Sequence, residues 1–306
     1  MTPSYGPGGT PGAQGTPGAP GAQGVQANRG LQGFQGFQGK TAIVTGATRG
    51  IGRAVAGQLA EAGALVCVTA RDADDVRRTA GELGGIGLAG SVADPAHPTE
   101  VTELVLREFG RIDVLVNNAA TNLPYGPLME ADPDAWREAF TVNVEAPLRL
   151  VQCAWRAWMG KHGGVVVNVC TEGAGHVGPG VGAYGTSKAA LLHLTRQLAG
   201  ELAPKVRVNS VSPGLVRTEM ARFVWEPGEP EVAAGLPLGR IGEPGDVARA
   251  VVWLASDAAG WITGADLLVD GGTRVRAAYA SAPYAVHERL RSGAPPDAGT
   301  GTPGHH

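Results

Sequence analysis

The stretch Thr41-Ala-Ile-Val-Thr-Gly-Ala-Thr-Arg-Gly-Ile-Gly52 determines the fold predicted for this chain. Its first five residues are apolar or β-branched and predict a buried strand. The glycine-rich turn that follows leads into a predicted helix over residues 53–61. Glycines between a strand and a helix let the backbone approach a pyrophosphate closely, and the free N–H groups of the helix N-terminus attract the anion. The stretch therefore predicts a nucleotide-binding βα unit.

Predicted strands and helices alternate over the next two hundred or so residues, a length that suits one large domain. The strands are predicted at residues 41–45, 64–70, 86–89, 112–117, 164–171, 206–211 and 265–270. The further helices are predicted at residues 72–83, 98–109, 133–159, 182–202 and 245–256. Apolar strands that alternate with helices are typical of a parallel sheet covered on both faces. We expect an α/β protein with a single doubly wound Rossmann-type domain and a seven-stranded parallel sheet.

The two ends of the chain differ from this pattern in composition. Glycine recurs at every third residue from Gly6 to Gly39, with Ala27 as the one break. The repeat resembles collagen, but proline is sparse, and we prefer a disordered Gly/Pro/Gln-rich tail over residues 1–39. The domain is then expected over residues 40–272. Residues 273–306 are expected to form a mostly disordered C-terminal extension.

Composition bounds the class of function. The chain has 306 residues, 43% hydrophobic and 17% charged, with a formal net charge of −3. Such a chain can bury a core, and nothing in it favours nucleic acid or an anionic membrane. Cys67, Cys153 and Cys170 fit no metal-binding spacing, so we expect reduced thiols and no metal. With no signal pattern and no long apolar run, we expect a cytoplasmic protein that does not bind membranes.

A second stretch, Tyr184-Gly-Thr-Ser-Lys188, carries candidate chemistry. Tyrosine and lysine four residues apart share one face of a helix. A nearby ammonium favours the phenolate and lowers the tyrosine pKa from its usual value of about 10. The pair can therefore act as a general acid/base couple, although the same spacing also occurs on ordinary solvated helix faces.

Six motifs in order resemble those of the short-chain dehydrogenase/reductase family, over a span from about Lys40 to Gly272. They are residues 45–52, Asn117-Asn-Ala-Ala120, Asn143, the strand end at residues 165–171, Tyr184–Lys188, and Pro213-Gly-Leu-Val-Arg-Thr218. The likeness to 3-oxoacyl-carrier-protein reductases and to other ketone reductases is equally general.

The resemblance implies four catalytic residues. Tyr184 would exchange a proton with the substrate oxygen, and Lys188 would lower the tyrosine pKa and bind the nicotinamide ribose. Asn143 would hold a water that links Lys188 to solvent. The family normally has a serine thirteen residues before the tyrosine, and here that residue is Thr171, which keeps the hydroxyl but adds a methyl group. The alternative interpretation is a structural threonine at the end of a strand.

The end of the second strand bears on the choice of nicotinamide cofactor. Ala70 holds the position where an NAD-binding member has an acid, and Arg71 follows it. Arg71 and Arg49 can bind a 2′-phosphate, so we expect NADP(H) to be preferred and NAD(H) to be possible. The alternative is that both arginines are simply solvated. The resemblance implies a larger set of cofactor-binding residues, namely Gly46, Thr48, Arg49, Gly50, Ile51, Gly52, Arg71, Ser91, Val92, Asn117, Ala119, Tyr184, Lys188, Pro213, Gly214, Val216 and Thr218.

These features favour an NADP(H)-dependent oxidoreductase that reversibly reduces a small-molecule carbonyl to an alcohol. Residues 217–235 would form a lid whose apolar side chains suit an apolar carbonyl compound. One alternative is an NAD-linked alcohol dehydrogenase, and another is a non-catalytic nucleotide-binding regulatory protein of the same fold. Since family members commonly pair their long helices between subunits, we expect a homotetramer or a homodimer.

Overall fold

The computed structural model describes residues 36–275. These residues form a sheet of seven parallel strands in the order β3-β2-β1-β4-β5-β6-β7, with helices around it. The strands are β1 (Thr41–Thr45), β2 (Leu65–Ala70), β3 (Ile86–Ala89), β4 (Val114–Asn117), β5 (Gly164–Val169), β6 (Val206–Pro213) and β7 (Asp266–Val269). The predicted seven-stranded parallel sheet is confirmed, and the strands differ from the prediction only at their ends.

Helices cover both faces of this sheet. They are α1 (Gly50–Glu61), α2 (Ala73–Glu82), α3 (His97–Phe109), α4 (Pro133–Phe140), α5 (Ala146–Ala154), α6 (Gly160–His162), α7 (Gly182–Leu202), α8 (Arg222–Trp225), α9 (Glu229–Ala234) and α10 (Pro244–Ala255). The region predicted as one helix over residues 133–159 contains two π-helical turns, Thr141–Glu145 and Trp155–Met159. A π turn inserts one extra residue into the helical repeat and often occurs at functional sites.

Alternate side chains of the central strands enter two separate cores. Val44 of β1 packs with α1, α2 and α10, whereas the preceding residue, Ile43, packs with α3, α5 and α7. This follows from the period of two along a strand, which sends successive side chains to opposite faces. Both faces of the sheet are therefore buried, which explains why its strands are apolar without alternation.

The strand order places the crossover reversal between β1 and β4. Helices that follow β1 and β4 cover opposite faces, so a crevice opens at the carboxyl ends of these neighbouring strands. The glycine turn follows β1, and Asn118 and Ala119 follow β4. The fold thus brings the two motifs to one crevice.

The residues immediately before Lys40, where the domain is predicted to start, also pack with the domain. Phe37 is completely buried and packs in the core shared with α1 and α10. Its carbonyl accepts a hydrogen bond of 2.9 Å from the Lys40 backbone N–H. The last triplet of the glycine repeat is therefore part of the domain. A short 3₁₀ turn, Thr273–Val275, extends its other end, and the rest of both predicted tails lies outside the described residues.

Within residues 36–275, no helix is both long enough and apolar enough to span a membrane.

Replacing Phe37 by alanine should destabilise the domain by about 3–5 kcal/mol, because it leaves a cavity in the core. Chemical denaturation monitored by circular dichroism measures this loss. Met129→Ala is the matched control, since its side chain is 96% exposed and truncation there should change the unfolding free energy by less than about 0.5 kcal/mol. Equal stability of the two variants would contradict the assignment of Phe37 to the core.

Candidate active site

The turn between β1 and α1 has the geometry of an anion cradle. Gly46 and Gly50 have positive φ angles of 62° and 53°, which favour glycine. Arg49 occupies the N-cap of α1 without a side-chain cap bond, and the first turn carries no acidic residue. The first N–H groups of α1 therefore keep their partial positive charge for a ligand.

Gly52 allows the closest backbone approach in this turn. A Cβ atom at Gly52 would lie 2.3 Å from the Gly46 carbonyl oxygen and 2.4 Å from Asn118 Nδ2. No residue larger than glycine fits there without a shift of the turn. The three glycines keep side chains out of this turn, so the residues present fit a pyrophosphate bound by the N–H groups at the start of α1.

Thr45 and Asn118 join the loops after β1 and β4. The Thr45 hydroxyl accepts hydrogen bonds of 3.0 Å from the backbone N–H groups of Asn118 and Ala119. Asn118 Nδ2 donates to the Thr45 carbonyl at 2.8 Å and to the Gly46 carbonyl at 3.1 Å. These bonds bring predicted cofactor residues Gly46 and Ala119 together. Thr48 and Ile51, also predicted, flank Arg49 and Gly50 in the same turn.

A buried polar ladder fixes α7 against the sheet. Asn117 Nδ2 donates to Asn168 Oδ1 at 2.8 Å, and Asn168 Nδ2 donates to Thr195 Oγ1 at 2.8 Å. The ladder crosses β4, β5 and α7 in the interior and fixes how these elements pack. Of these three residues only Asn117 was predicted from the sequence to have a role, because periodicity does not indicate which buried amides meet.

Residues predicted at the adenosine end lie at the ends of β2 and β3. Arg71 is exposed directly after β2, and Ser91 and Val92 follow β3. Ser91 Oγ accepts a hydrogen bond of 3.3 Å from Ala93 N. Ala70 aligns with Ala89 in the parallel register, so the two loops are adjacent.

A buried histidine that was not predicted from the sequence joins these two strand ends. His97 Nε2 lies 2.6 Å from Thr69 Oγ1, and a Cβ atom on Gly90 would lie 2.3 Å from His97 Nδ1. Burial lowers the His97 pKa, whereas Glu100 and Asp94 raise it to a smaller extent. The neutral imidazole thus bridges β2 and β3 directly below Arg71 and Ser91. A lone histidine at a helix start gives no sequence signal of this role.

The predicted catalytic side chains meet at the carboxyl end of β5. The Thr171 hydroxyl accepts a hydrogen bond of 3.3 Å from Gly173 N. Burial raises the Tyr184 pKa above its ordinary value, the Cys170 thiol adds to this effect, and the neighbouring Thr171 side chain opposes it. Thr171 therefore lies beside the phenol of Tyr184.

Lys188 is not among the groups that shift the Tyr184 pKa in this arrangement, and its expected effect on that pKa stays a prediction. Lys188 Nζ lies 5.9 Å from the centre of the Tyr184 ring and donates instead to the Val169 carbonyl at 2.7 Å. Burial lowers the Lys188 pKa to about 8. The ammonium is close to the phenol but is held by the backbone of β5, and its desolvation weakens its charged form.

Asn143 is completely buried in the first π turn. Its Oδ1 accepts from Thr121 N at 2.9 Å, and its Nδ2 donates to the Thr121 carbonyl at 2.8 Å and to Ser187 Oγ at 2.9 Å. Both amide hydrogens are therefore used by protein groups. Asn143 joins the loop after β4 to α7, and its role in holding a water stays a prediction.

The remaining predicted cofactor residues follow β6. A Cβ atom on Gly214 would lie 2.7 Å from Asp270 Cα, so the loops after β6 and β7 touch there. Pro213 ends β6, and Val216 forms an isolated bridge with Gly242. Thr218 contacts Gly50 of the glycine turn, where a Cβ atom would lie 3.3 Å from Thr218 Cγ2. Pro213, Val216 and Thr218 thus close the crevice on the side opposite Arg71.

The cysteines and the metal-ligand candidates add no further centre. Cys67, Cys153 and Cys170 are all free thiols, and burial raises the pKa values of Cys67 and Cys170 to about 12. Between residues 36 and 275, no group of three or more His, Cys, Asp or Glu side chains is arranged to hold a metal ion.

Comparisons with known proteins cover this whole domain. A family model described as enoyl-(acyl carrier protein) reductase matches residues 46–274. Dehydrogenase/reductase SDR family member 4 of Caenorhabditis elegans is 34% identical over 249 residues, which is 78% of this chain and 96% of that protein. The 3-oxoacyl-[acyl-carrier-protein] reductase FabG of Escherichia coli (strain K12) is 39% identical over 237 residues, 76% of this chain and 96% of that protein.

Solved structures also match this domain. A short-chain dehydrogenase/reductase of the SDR:glucose/ribitol dehydrogenase type from Brucella melitensis superposes with a TM-score of 0.74 at 30% identity, covering 78% of this chain and 98% of that chain. Another short-chain dehydrogenase/reductase family protein superposes with a TM-score of 0.70 at 36% identity, covering 78% and 99%.

Because Lys188 is buried, we expect the free energy of unfolding to depend on pH. Its pKa is about 8 in the folded protein and near its ordinary value of 10.5 in the unfolded chain, so between these pH values the unfolded chain binds more protons. Stability then rises with pH through this window, by up to roughly 3 kcal/mol relative to Lys188→Met. Urea denaturation of both proteins from pH 7 to pH 10 measures the difference. Parallel curves for the two proteins would contradict a depressed pKa at Lys188.

Proposed function

Because the chain belongs to the short-chain dehydrogenase/reductase family, we propose that it is an NADP(H)-dependent oxidoreductase that reduces a carbonyl to an alcohol. The observation that carries the proposal is the pair of neighbouring hydroxyl side chains, Thr171 and Tyr184, with the buried Lys188 beside it. This pair lies at the carboxyl edge of the sheet, where the glycine turn can hold a dinucleotide. The membership and the oxidoreductase class are established, and the cofactor and the roles below are proposed.

The position of Tyr184 beside Thr171 and Lys188 supports its role as an acid. At neutral pH the phenol keeps its proton and can donate it to the substrate oxygen as negative charge develops there. The Thr171 hydroxyl donates a second hydrogen bond to that oxygen and polarises the carbonyl beforehand. NADPH, when bound, supplies the hydride. One hydride and one proton convert the carbonyl to an alcohol, and the reverse steps oxidise the alcohol.

Lys188 supports the charge left on Tyr184. Its ammonium is largely protonated at neutral pH, since its pKa is about 8. When Tyr184 gives up its proton, an ammonium at this distance stabilises the resulting phenolate through a medium of low dielectric constant. The residue would also donate to the nicotinamide ribose, as the family resemblance implies.

Two exposed arginines support the preference for NADP(H). Arg49 and Arg71 lie at the adenosine end, and neither forms an ion pair within residues 36–275. Ala70 supplies no carboxylate that would bond the ribose 2′-hydroxyl of NAD or repel a 2′-phosphate. The absence of this acid argues against the alternative, an NAD-linked alcohol dehydrogenase. The other alternative, a regulatory protein without turnover, does not account for the Thr171–Tyr184 pair.

We also propose a cytoplasmic homotetramer or homodimer. The support for this assembly is that family members commonly pair their long helices between subunits, and the face of α7 away from the interior exposes His193, Arg196 and Gln197 for such a contact. Light scattering of the purified protein tests the assembly, and a monomer would exclude it.

Tyr184→Phe should reduce ketone-dependent NADPH oxidation by about 10²–10⁴-fold, because the phenol is the proton donor. Thr171→Ala should cost about 10²-fold in turnover, whereas Thr171→Ser should stay near the original rate because it keeps the hydroxyl. Absorbance of NADPH at saturating ketone measures all three. Binding of NADPH by the Tyr184→Phe protein, followed by fluorescence, is the control for an intact site. Undiminished turnover in Tyr184→Phe would refute the mechanism.

Ala70→Asp should reverse the cofactor preference. The new carboxylate repels the 2′-phosphate of NADPH and accepts a hydrogen bond from the 2′-hydroxyl of NADH. We expect kcat/KM to fall by about tenfold or more with NADPH and to hold or rise with NADH. Arg71→Ala is the companion variant and should weaken NADPH alone, since it removes a charge-assisted hydrogen bond. If the unaltered protein already favours NADH, the proposed preference is wrong.

A further inference from the structure

Three segments surround the approach to Tyr184 and are here called the mouth, residues 121–132, 172–181 and 216–235. The first two are joined by the backbone bond from Gly126 N to the Gly180 carbonyl at 2.8 Å. Leu128 packs on Gly182, where a Cβ atom would lie 2.8 Å from the leucine side chain. Gly182 is the first residue of α7, two positions before Tyr184. The mouth is thus continuous with the catalytic side chains.

An aromatic contact joins the first segment to the third. The rings of Tyr125 and Phe223 meet edge to face with their centres 5.2 Å apart. Asn122 Nδ2 also donates to the Met220 carbonyl at 3.5 Å. The Tyr125–Phe223 contact therefore bridges the loop after β4 and the short helix α8.

The mouth exposes more large apolar side chains than any other part of the described chain. Tyr125 is 56% exposed, Phe223 49%, and Met129 and Val177 96% and 95%. Exposed apolar groups that gather around a cleft mark a binding surface for apolar ligand. Because this surface is continuous with Tyr184, we take the substrate itself as its occupant.

The charge of the mouth is strongly negative. Its three segments contain seven carboxylates and two arginines, a formal net charge of −5 with His176 neutral. Each arginine is already paired with two carboxylates, Arg217 with Glu229 and Glu243, and Arg222 with Glu219 and Glu226. No unpaired cation among the mouth residues is available to an anionic ligand.

One further cation borders the mouth from the end of the domain. A Cβ atom on Gly175 would lie 2.9 Å from Arg274 Nη2, so this guanidinium lies against the second segment. Adding its single positive charge to the −5 of the mouth gives −4. The region therefore stays acidic with Arg274 included.

We propose that the substrate is an uncharged ketone with a bulky apolar body, and that the mouth excludes substrates carried on phosphate-bearing groups. This inference rests on the proposed reductase function and specifies its substrate class. A related protein is named as a reductase of 3-oxoacyl groups on acyl carrier protein. A cleft lined by one sign of charge lowers the local concentration of ligands with that sign. The acidic mouth therefore separates this chain from reduction of carrier-bound acyl groups.

The direct test compares two thioesters that share one 3-oxoacyl chain of about ten carbons. The N-acetylcysteamine thioester is uncharged, and the coenzyme A thioester carries phosphates. With NADPH at saturation and low ionic strength, we expect kcat/KM to be at least about tenfold higher for the uncharged thioester. Added salt should narrow this ratio, because it screens charges at the mouth.

A matched pair of charge reversals locates the effect. Glu130 and Glu231 are exposed mouth residues without ion pairs inside the described chain, and Glu61 and Glu103 are exposed on α1 and α3. The double variant Glu130→Lys/Glu231→Lys should raise the ratio of kcat/KM for the coenzyme A thioester to kcat/KM for the uncharged thioester by about tenfold. The double variant Glu61→Lys/Glu103→Lys changes net charge equally and should have little effect on either.

Phe223→Ala tests the apolar half of the inference. Loss of the Tyr125–Phe223 contact should lower the ratio of kcat/KM for the uncharged ten-carbon thioester to kcat/KM for a small ketone such as butanedione by about tenfold.

Equal kcat/KM for both thioesters, or a preference for the coenzyme A thioester, would overturn the inference while leaving the reductase function intact. The inference is also wrong if Phe223→Ala changes the oligomeric state without altering substrate selectivity, since a second copy of the chain would then cover the patch. Absence of NADPH oxidation with either thioester and with butanedione would instead contradict the proposed function, and the inference with it.

Discussion

The hydrogen bond from Lys188 Nζ to the Val169 carbonyl is the interaction on which the site depends. It joins the first half of α7 to the last residue of β5, from the same helix turn that carries Tyr184. Burying an ammonium is costly unless a hydrogen bond offsets the lost hydration, and here a backbone carbonyl does so. Asn117, Asn168 and Thr195 continue this attachment deeper in the core. The position of Tyr184 relative to Thr171 is thus set by the sheet.

The sheet and the long helix α7 could be predicted because their signals are local and repeated. Apolar strands between helical segments specify a parallel sheet, and the Tyr184–Lys188 spacing specifies one face of a helix. Phe37 could not be predicted, because its glycine-rich surroundings are typical of a tail and only the core explains its burial. The preference of Lys188 for a carbonyl over the phenol depends on tertiary distances. His97 gives no sequence pattern at all until Thr69 and Gly90 are seen beside it.

The two ends of the crevice present different side chains. Arg49 and Arg71 are exposed at the adenosine end, whereas the mouth around Tyr125 and Phe223 is acidic and apolar. A highly anionic cofactor and an uncharged substrate would then be drawn to different ends of one groove, because each end favours a different ligand chemistry. The acidic residues of the mouth are scattered over about a hundred positions of the chain. The fold brings them together, so that their charges add to one negative potential.

The burial of Phe37 also has a practical consequence. Phe37 holds the chain at the amino-terminal end of β1, whereas the proposed catalytic residues lie at the carboxyl end of the sheet. A handle joined at Gly36 would leave the protein on the face remote from its chemistry. Immobilisation through residue 36 would keep the groove open to solution. The amino-terminal end of the domain is therefore a suitable point for attaching the protein to a solid support.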